Sequence, residues 1–252
     1  VFIHDSYTGG TTRVSVASDG TQGAGGHSQS PALSRDGRYL AFHSFATNLS
    51  GAGNDTNAAG DVFVRECAEA TLVRASQGVD GTEGDGQSDQ ASWNQDGTRL
   101  LYRTAASTLD WTESDGGARD IMSYDLMSGT SSSTSRTETA TTDRVSVASD
   151  GSQSAGGSAT ASHSISADGR FVAFYSAATD LVADDTNGYS DIFVHDRQTG
   201  ATARVSVASG GAQATGGDSE WPFLSADGRY VAFQSRATDL VADDTNGNMD
   251  VF

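Results

Sequence analysis

Hydrophobic positions come in short bursts of four to six residues, each bounded by Gly, Asp, Asn or Ser. Leu33-Ser-Arg-Asp-Gly-Arg-Tyr-Leu-Ala-Phe42 is the first of them; it recurs at 165–174 and 224–233, and in a worn form at 93–102. The Asp of each Asp-Gly pair stands at 36, 96, 168 and 227, so the chain repeats at spacings of 60, 72 and 59 residues. A second burst follows each one: Asp61-Val-Phe-Val64, Asp120-Ile-Met-Ser123, Asp191-Ile-Phe-Val194 and Asp250-Val-Phe252, and the chain opens on the same pattern at Val1-Phe-Ile-His-Asp5. A third, Arg13-Val-Ser-Val-Ala-Ser-Asp-Gly20, is matched at 144–151 and 204–211, while the stretch at 72–81 has diverged.

Each repeat predicts four strands. Strand a ends at Leu/Ile-Ser, and Asp-Gly makes a tight hairpin turn because Gly supplies positive φ. Strand b is Arg-Tyr-Val-Ala-Phe and strand c is Asp-Ile-Phe-Val-His-Asp. Strand d is Arg-Val-Ser-Val, where Val205 and Val207 alternate with Ser206. No stretch carries a helical period. Four-stranded repeats at regular spacing predict an all-β propeller, whose sheets stack because none can bury its apolar face alone. The expected organisation is one domain over 1–252, with repeat units at about 21–80, 81–150 and 151–217. The fourth unit joins 1–20 to 218–252, the N-terminal strands c and d completing the blade begun by the C-terminal strands a and b. Gly129 to Thr142, rich in Ser and Thr, reads as an elongated loop between strands c and d.

These residues resemble the TolB-like, PD40-type (WD40-like) bacterial propeller repeat. In that repeat Ser-x-Asp-Gly-Arg-x-Val/Leu-Ala-Phe precedes an Asp-Ile-Phe-Val strand. The resemblance covers nearly the whole chain and implies a propeller in an extracellular or periplasmic setting. It implies little about activity, since one propeller fold hosts many functions. The second copy departs from the pattern: Thr98 replaces the usual Arg, and Gly116-Gly117 stand where Thr-Asn is expected.

Composition fits many short strands and tight turns, with 30 Gly and 2 Pro in 252 residues. Net charge is −18 and all 15 basic residues are Arg, so nucleic acid and anionic membrane surfaces are poor partners and cations better ones. Cys67 is the lone cysteine, which excludes an intrachain disulfide and a thiolate metal cluster. No apolar run reaches the length of a membrane span. A chain beginning at Val1 without a signal peptide is expected to be a mature form or an excised segment.

Two groups of residues are candidates for chemistry. Asp55, Asn57 and Asp61 recur as Asp185, Asn187 and Asp191 and as Asp244, Asn246 and Asp250. Oxygen ligands at i, i+2 and i+6 suit a hard cation such as Ca2+, while the same residues also make good metal-free turns. In the worn copy only Asp115 and Asp120 remain. The second group is what varies among otherwise similar repeats: Gln29-Ser30, Asp89-Gln90, Ala161-Ser162 and Glu220-Trp221 before strand a, and His43, Arg103, Tyr175 and Gln234 after strand b. Gln29, Asp89, Glu220 and Trp221 are the expected ligand-binding residues, for a sugar or a cationic peptide. His4 and His195 share one repeat position and read as strand surface. No nucleophile–base set, metal-binding His cluster or phosphate loop emerges. The leading expectation is a non-catalytic secreted or surface module that binds protein or glycan or assembles, stabilised by calcium. The alternatives are a propeller enzyme or enzyme accessory domain (lyase, glycosidase or peptidase-associated), and a structural array of self-associating units.

Overall fold

The short apolar bursts pair with their sequence neighbours, because a hairpin closes the smallest loop. The computed structural model describes residues 1–51, 54–78, 80–109, 118–126, 141–154 and 162–252. It is built of β1 (Phe2–His4) and β2 (Thr11–Arg13); β3 (Ser28–Leu33), β4 (Tyr39–Ser44), β5 (Asp61–Glu66) and β6 (Leu72–Arg74); β7 (Ser88–Trp93), β8 (Arg99–Thr104), β9 (Asp120–Asp125) and β10 (Thr141–Arg144); β11 (His163–Ile165), β12 (Phe171–Ser176), β13 (Asp191–Asp196) and β14 (Ala201–Arg204); and β15 (Ser219–Leu224), β16 (Val231–Ser235) and β17 (Asp250–Val251). Each group is one antiparallel sheet in chain order, so the three internal repeats are four-stranded meanders. No helix long and apolar enough to cross a membrane occurs among the described residues. The elongated loop expected at 129–142 lies largely outside the described residues, as do Asp115, Gly116-Gly117 and Ala161.

The residues fall into two compact units, Val1–Trp111 with Ser123–Asp143, and Thr112–Met122 with Arg144–Phe252. In the first, Phe42 and Phe63 stack at 5.8 Å inside a cluster with Val14, Leu40, Ala46 and Leu49. In the second, Phe174 and Phe193 repeat that pair at 5.8 Å and Phe233 with Phe252 at 5.9 Å. Such cross-strand aromatic pairs contribute roughly 0.5–1.5 kcal/mol beyond the area they bury. Neighbouring sheets are also stitched by polar contacts. In the first unit Ser18 Oγ accepts from Leu72 N at 3.1 Å, and Trp93 Nε1 donates to Ala32 O at 2.9 Å. In the second, Ser149 Oγ accepts from Thr202 N at 2.9 Å, and Leu224 N donates to Ser164 Oγ at 3.0 Å.

Two expectations are corrected. The Asp-Gly turn is not a two-residue hairpin: residues 34–38 connect β3 to β4. Gly37 takes φ 72°, Gly37 N bonds Ser34 O at 2.9 Å, and Ser34 Oγ donates to Asp36 Oδ1 at 2.6 Å. Strand d ends at its arginine instead of beginning there, because the following serine turns inward. Ser206, fully buried, accepts from Ile192 N at 3.0 Å and donates to Asp191 Oδ1 at 2.5 Å, while Val205 and Val207 are only half-buried. In the first unit β1 pairs with β2, and in the second β16 pairs with β17. Asp250 and Val251 meet Ser235 and Gln234 in the register that Asp191 and Ile192 use against Ser176 and Tyr175, so the chain's own copy of strand c fills that edge.

Candidate functional site

The acidic loops bring the strand-c aspartates against the arginine and serine of strand d and its continuation. In the first unit Asp61 is buried, its Oδ1 accepting from Ser76 Oγ at 2.7 Å and its Oδ2 lying 3.1 Å from Arg74 Nε. Arg74 Nη1 lies 2.8 Å from Glu83 Oε1, and Arg74 Nη2 donates to Ser50 Oγ at 2.6 Å and to Asn54 O at 2.9 Å. The Nε contact is ionic, without hydrogen-bond alignment. Burial pushes the Asp61 carboxyl up to about 6 despite Arg74 and Ser76, which pull it down.

The second unit repeats the device twice. Arg144 Nε lies 3.3 Å from Asp120 Oδ2, with Ser146 Oγ donating to Asp120 Oδ1 at 2.7 Å. Arg204 Nη1 lies 3.3 Å from Asp185 Oδ1 and 3.4 Å from Asp191 Oδ2. A guanidinium thus stands between Asp185 and Asp191, where a bound cation was expected. Asn187 turns its amide nitrogen to Asp191 Oδ2 at 3.0 Å and its Oδ1 to Tyr189 N at 2.9 Å, which is turn chemistry. Asn246 does the same with Asp250 at 3.0 Å and Asn248 N at 2.6 Å, and Asn57 bonds Gly84 O and Ala59 N. Each of the three asparagine Oδ1 atoms accepts a hydrogen bond from a backbone N–H two residues on, within its own loop.

One loop differs. Gln213 donates to Asp185 Oδ1 at 2.8 Å and accepts from Thr186 N at 3.3 Å. Its counterpart in the first unit is Glu83, which keeps the Thr56 N contact at 2.7 Å but has no proton for Asp55. Oxygen atoms of Asp55, Asp61 and Glu83 lie within 4.8 Å of one another, a carboxylate set of the kind that binds a metal ion, although here too a guanidinium, that of Arg74, already bridges Asp61 and Glu83. The sequence pattern had Asp55 and Asp61 but missed Glu83, since Gln22, Gln153 and Gln213 occupy that position elsewhere. It also missed Arg74 and Ser76, although an Arg-x-Ser accompanies the strand-c Asp in every complete repeat.

The variable residues form cross-strand pairs. Gln29 faces His43, Asp89 faces Arg103, and Glu220 faces Gln234. After each first member the strand bulges and one residue takes positive φ: Ser30 at 52°, Gln90 at 54° and Trp221 at 56°. That region is costly for a side chain with a Cβ, and bulges re-aim side chains. In the first unit Asp89 is buried and grips Arg103 through two contacts, at 2.8 and 2.9 Å, with Gln87 Nε2 at 2.9 Å. Gln29 Nε2 lies 3.4 Å from His43 Nδ1. In the second unit neither Glu220 nor Gln234 has a side-chain partner among the described residues, and the Trp221 ring is 52% exposed. His195, expected on the surface, is buried and bonds Thr202 Oγ1 at 2.9 Å, because Thr202 also reaches the neighbouring sheet at Val147 O. His4 makes the equivalent bond to Thr11 at 2.8 Å and stays exposed.

No protein-family profile matches the chain, and no curated protein matches it. Solved structures do. A manganese complex of oligogalacturonate lyase aligns with TM-score 0.52 at 11% identity, over 99% of this chain and 58% of that one. TolB from Acinetobacter baumannii aligns with TM-score 0.47 at 16% identity, over 95% and 46%, and the tricorn protease with TM-score 0.46 at 13% identity, over 100% and 23%. The chain spans about half the length of the first two. At these identities the likeness is one of fold: antiparallel four-stranded sheets repeated as in a β-propeller.

Proposed function

We infer that this chain is a non-catalytic module of an extracellular or periplasmic protein, and that it binds a protein or glycan ligand through the bulged edges of its sheets. One observation carries the reading. The acids and arginines that recur in every repeat are committed to the fold, through turns, Asp–Arg pairs and inward serines. Among the residues that change are the cross-strand pairs beside a strained bulge. Chemistry that varies on a constant frame is the pattern of recognition, and exposed loop and edge positions commonly carry it. Trp221 with Glu220 and Gln234 offers a flat apolar ring beside unengaged hydrogen-bonding groups. Screening the chain against immobilised glycans and against cationic peptides tests this. Binding that weakens at least tenfold in Trp221→Ala supports the reading; binding that ignores Trp221→Ala, Asp89→Asn and Gln29→Ala alike overturns it.

A second reading rests on Glu83. Asp55, Asp61 and Glu83 would take calcium, a hard cation that accepts carboxylates in irregular geometry. Calcium held there would stabilise the first unit, not act on a substrate.

A further inference from the structure

His43 lies in β4 and is 2% exposed. Its Nε2 has no hydrogen-bond partner. The ring presses on Gly60 so closely that a Cβ there would stand 1.9 Å from Nε2. Phe45 meets the ring edge-on at 4.7 Å, and His27 packs on the same Phe45 at 4.9 Å. Gly60 is the point where the next sheet attaches: its carbonyl accepts from Ser88 N, the first residue of β7, at 2.7 Å. Both β4 and β5 pack against β7. All of these residues belong to the first unit.

A charge on this imidazole has no ready partner. The groups that bear on it are His27 ahead of β3, Asp89 on β7 and Arg103 on β8. Asp89 would attract a protonated His43, but both its oxygens are already held by Arg103. His27 would repel it. Burial is the largest influence and pushes the His43 pKa down, Asp89 partly opposing. The sign follows: the folded form binds the proton less well than the unfolded one, so stability is complete above about pH 6.5, the ordinary value for His, and falls with acid.

We propose that His43 is an acid-operated latch: its protonation loosens the Gly60–Ser88 junction between the sheet β3–β6 and strand β7. The junction adjoins the pairs Gln29–His43 and Asp89–Arg103, so on the binding reading given above, acid would weaken a ligand held at that edge. The latch itself is measured without ligand, so it and the binding reading can fail separately.

Hydrogen exchange of the Ser88 amide on the whole chain, corrected for intrinsic exchange, tests it between pH 7.5 and 5. The expected protection factor falls about tenfold per pH unit from about pH 6.5 down to the native pKa of His43. His43→Gln is expected to remove that dependence. A Ser88 protection that stays flat to pH 5, or the same slope in His43→Gln, overturns the proposal. Should the variant not fold, an NMR titration of His43 in the wild-type chain decides: a midpoint below 6.5 supports the latch, and one at or above it refutes it.

Discussion

Replacing Arg74 by Met removes the guanidinium that sits between Asp61 and Glu83 while keeping most of the apolar stem. The Arg74 side chain is 6% exposed and that of Asp61 2%. Neither partner has water to fall back on. Breaking a buried ion pair from one side costs about 3–5 kcal/mol, because the remaining charge stays unpaired and desolvated. Here three carboxylates, Asp55, Asp61 and Glu83, are left within 4.8 Å of one another. For a chain of 252 residues at roughly 2–4 °C per kcal/mol, the melting temperature should drop by about 6–20 °C. Arg204→Met in the second unit is the built-in control. It leaves two aspartates with Gln213 Nε2 still donating to Asp185, so it should cost less. Thermal melts of both variants, with Asp61→Asn added to Arg74→Met, complete the test. Neutralising Asp61 should return a good part of the loss. Acid should act likewise: with Asp61 raised to about 6, its contribution is fully present below about pH 4 and is lost as pH rises through 6, and removing Arg74 moves that loss to higher pH. A drop smaller than the ~1 kcal/mol typical of an exposed pair, or an Arg204→Met loss equal to that of Arg74→Met, would refute the reasoning.

Two further outcomes are expected. Calcium at a hundred times its dissociation constant should stabilise the chain by about 2.7 kcal/mol if it binds only the folded form. Glu83→Gln should abolish that gain, and an unchanged melting temperature after chelation and readdition of millimolar calcium removes the ion from the account. Ala58 has φ 56° where Gly188 and Gly247 occupy the other acidic loops at 72° and 64°. Ala58→Gly should therefore stabilise by up to ~1 kcal/mol as the backbone strain is relieved, and a destabilised variant in denaturant melts would count against it.

The repeat and strands a, b and c were legible in the sequence because each depends on neighbours along the chain, whereas the form of the Asp-Gly connection and the extent of strand d were not. Leu33, Tyr39 and Phe42 betray a hairpin without reference to anything distant. Asp61 was legible as an acid of interest but not as a buried one. Its environment is set by Arg74 and Ser76 across the sheet, in a stretch that looks diverged because its valines changed while its Arg and Ser did not. Glu83 carried no repeat signal, being the exception to a Gln. His195 was misplaced because its burial goes with its strand partner Thr202, which bonds Val147 O of the neighbouring sheet, a contact no local pattern reveals. The pairs Gln29–His43 and Asp89–Arg103 were visible as variable positions, and only the register shows that the members of each pair face one another.

Ser30, Gln90 and Trp221 share one backbone dihedral within a few degrees, although a hydroxyl, an amide and an indole have little in common. The angle therefore belongs to the scaffold and not to the side chain it carries. Such a position behaves as an interchangeable socket: randomising 30, 90 and 221 together with the residues across from them would yield a combinatorial library in which affinity can be selected while the frame stays fixed.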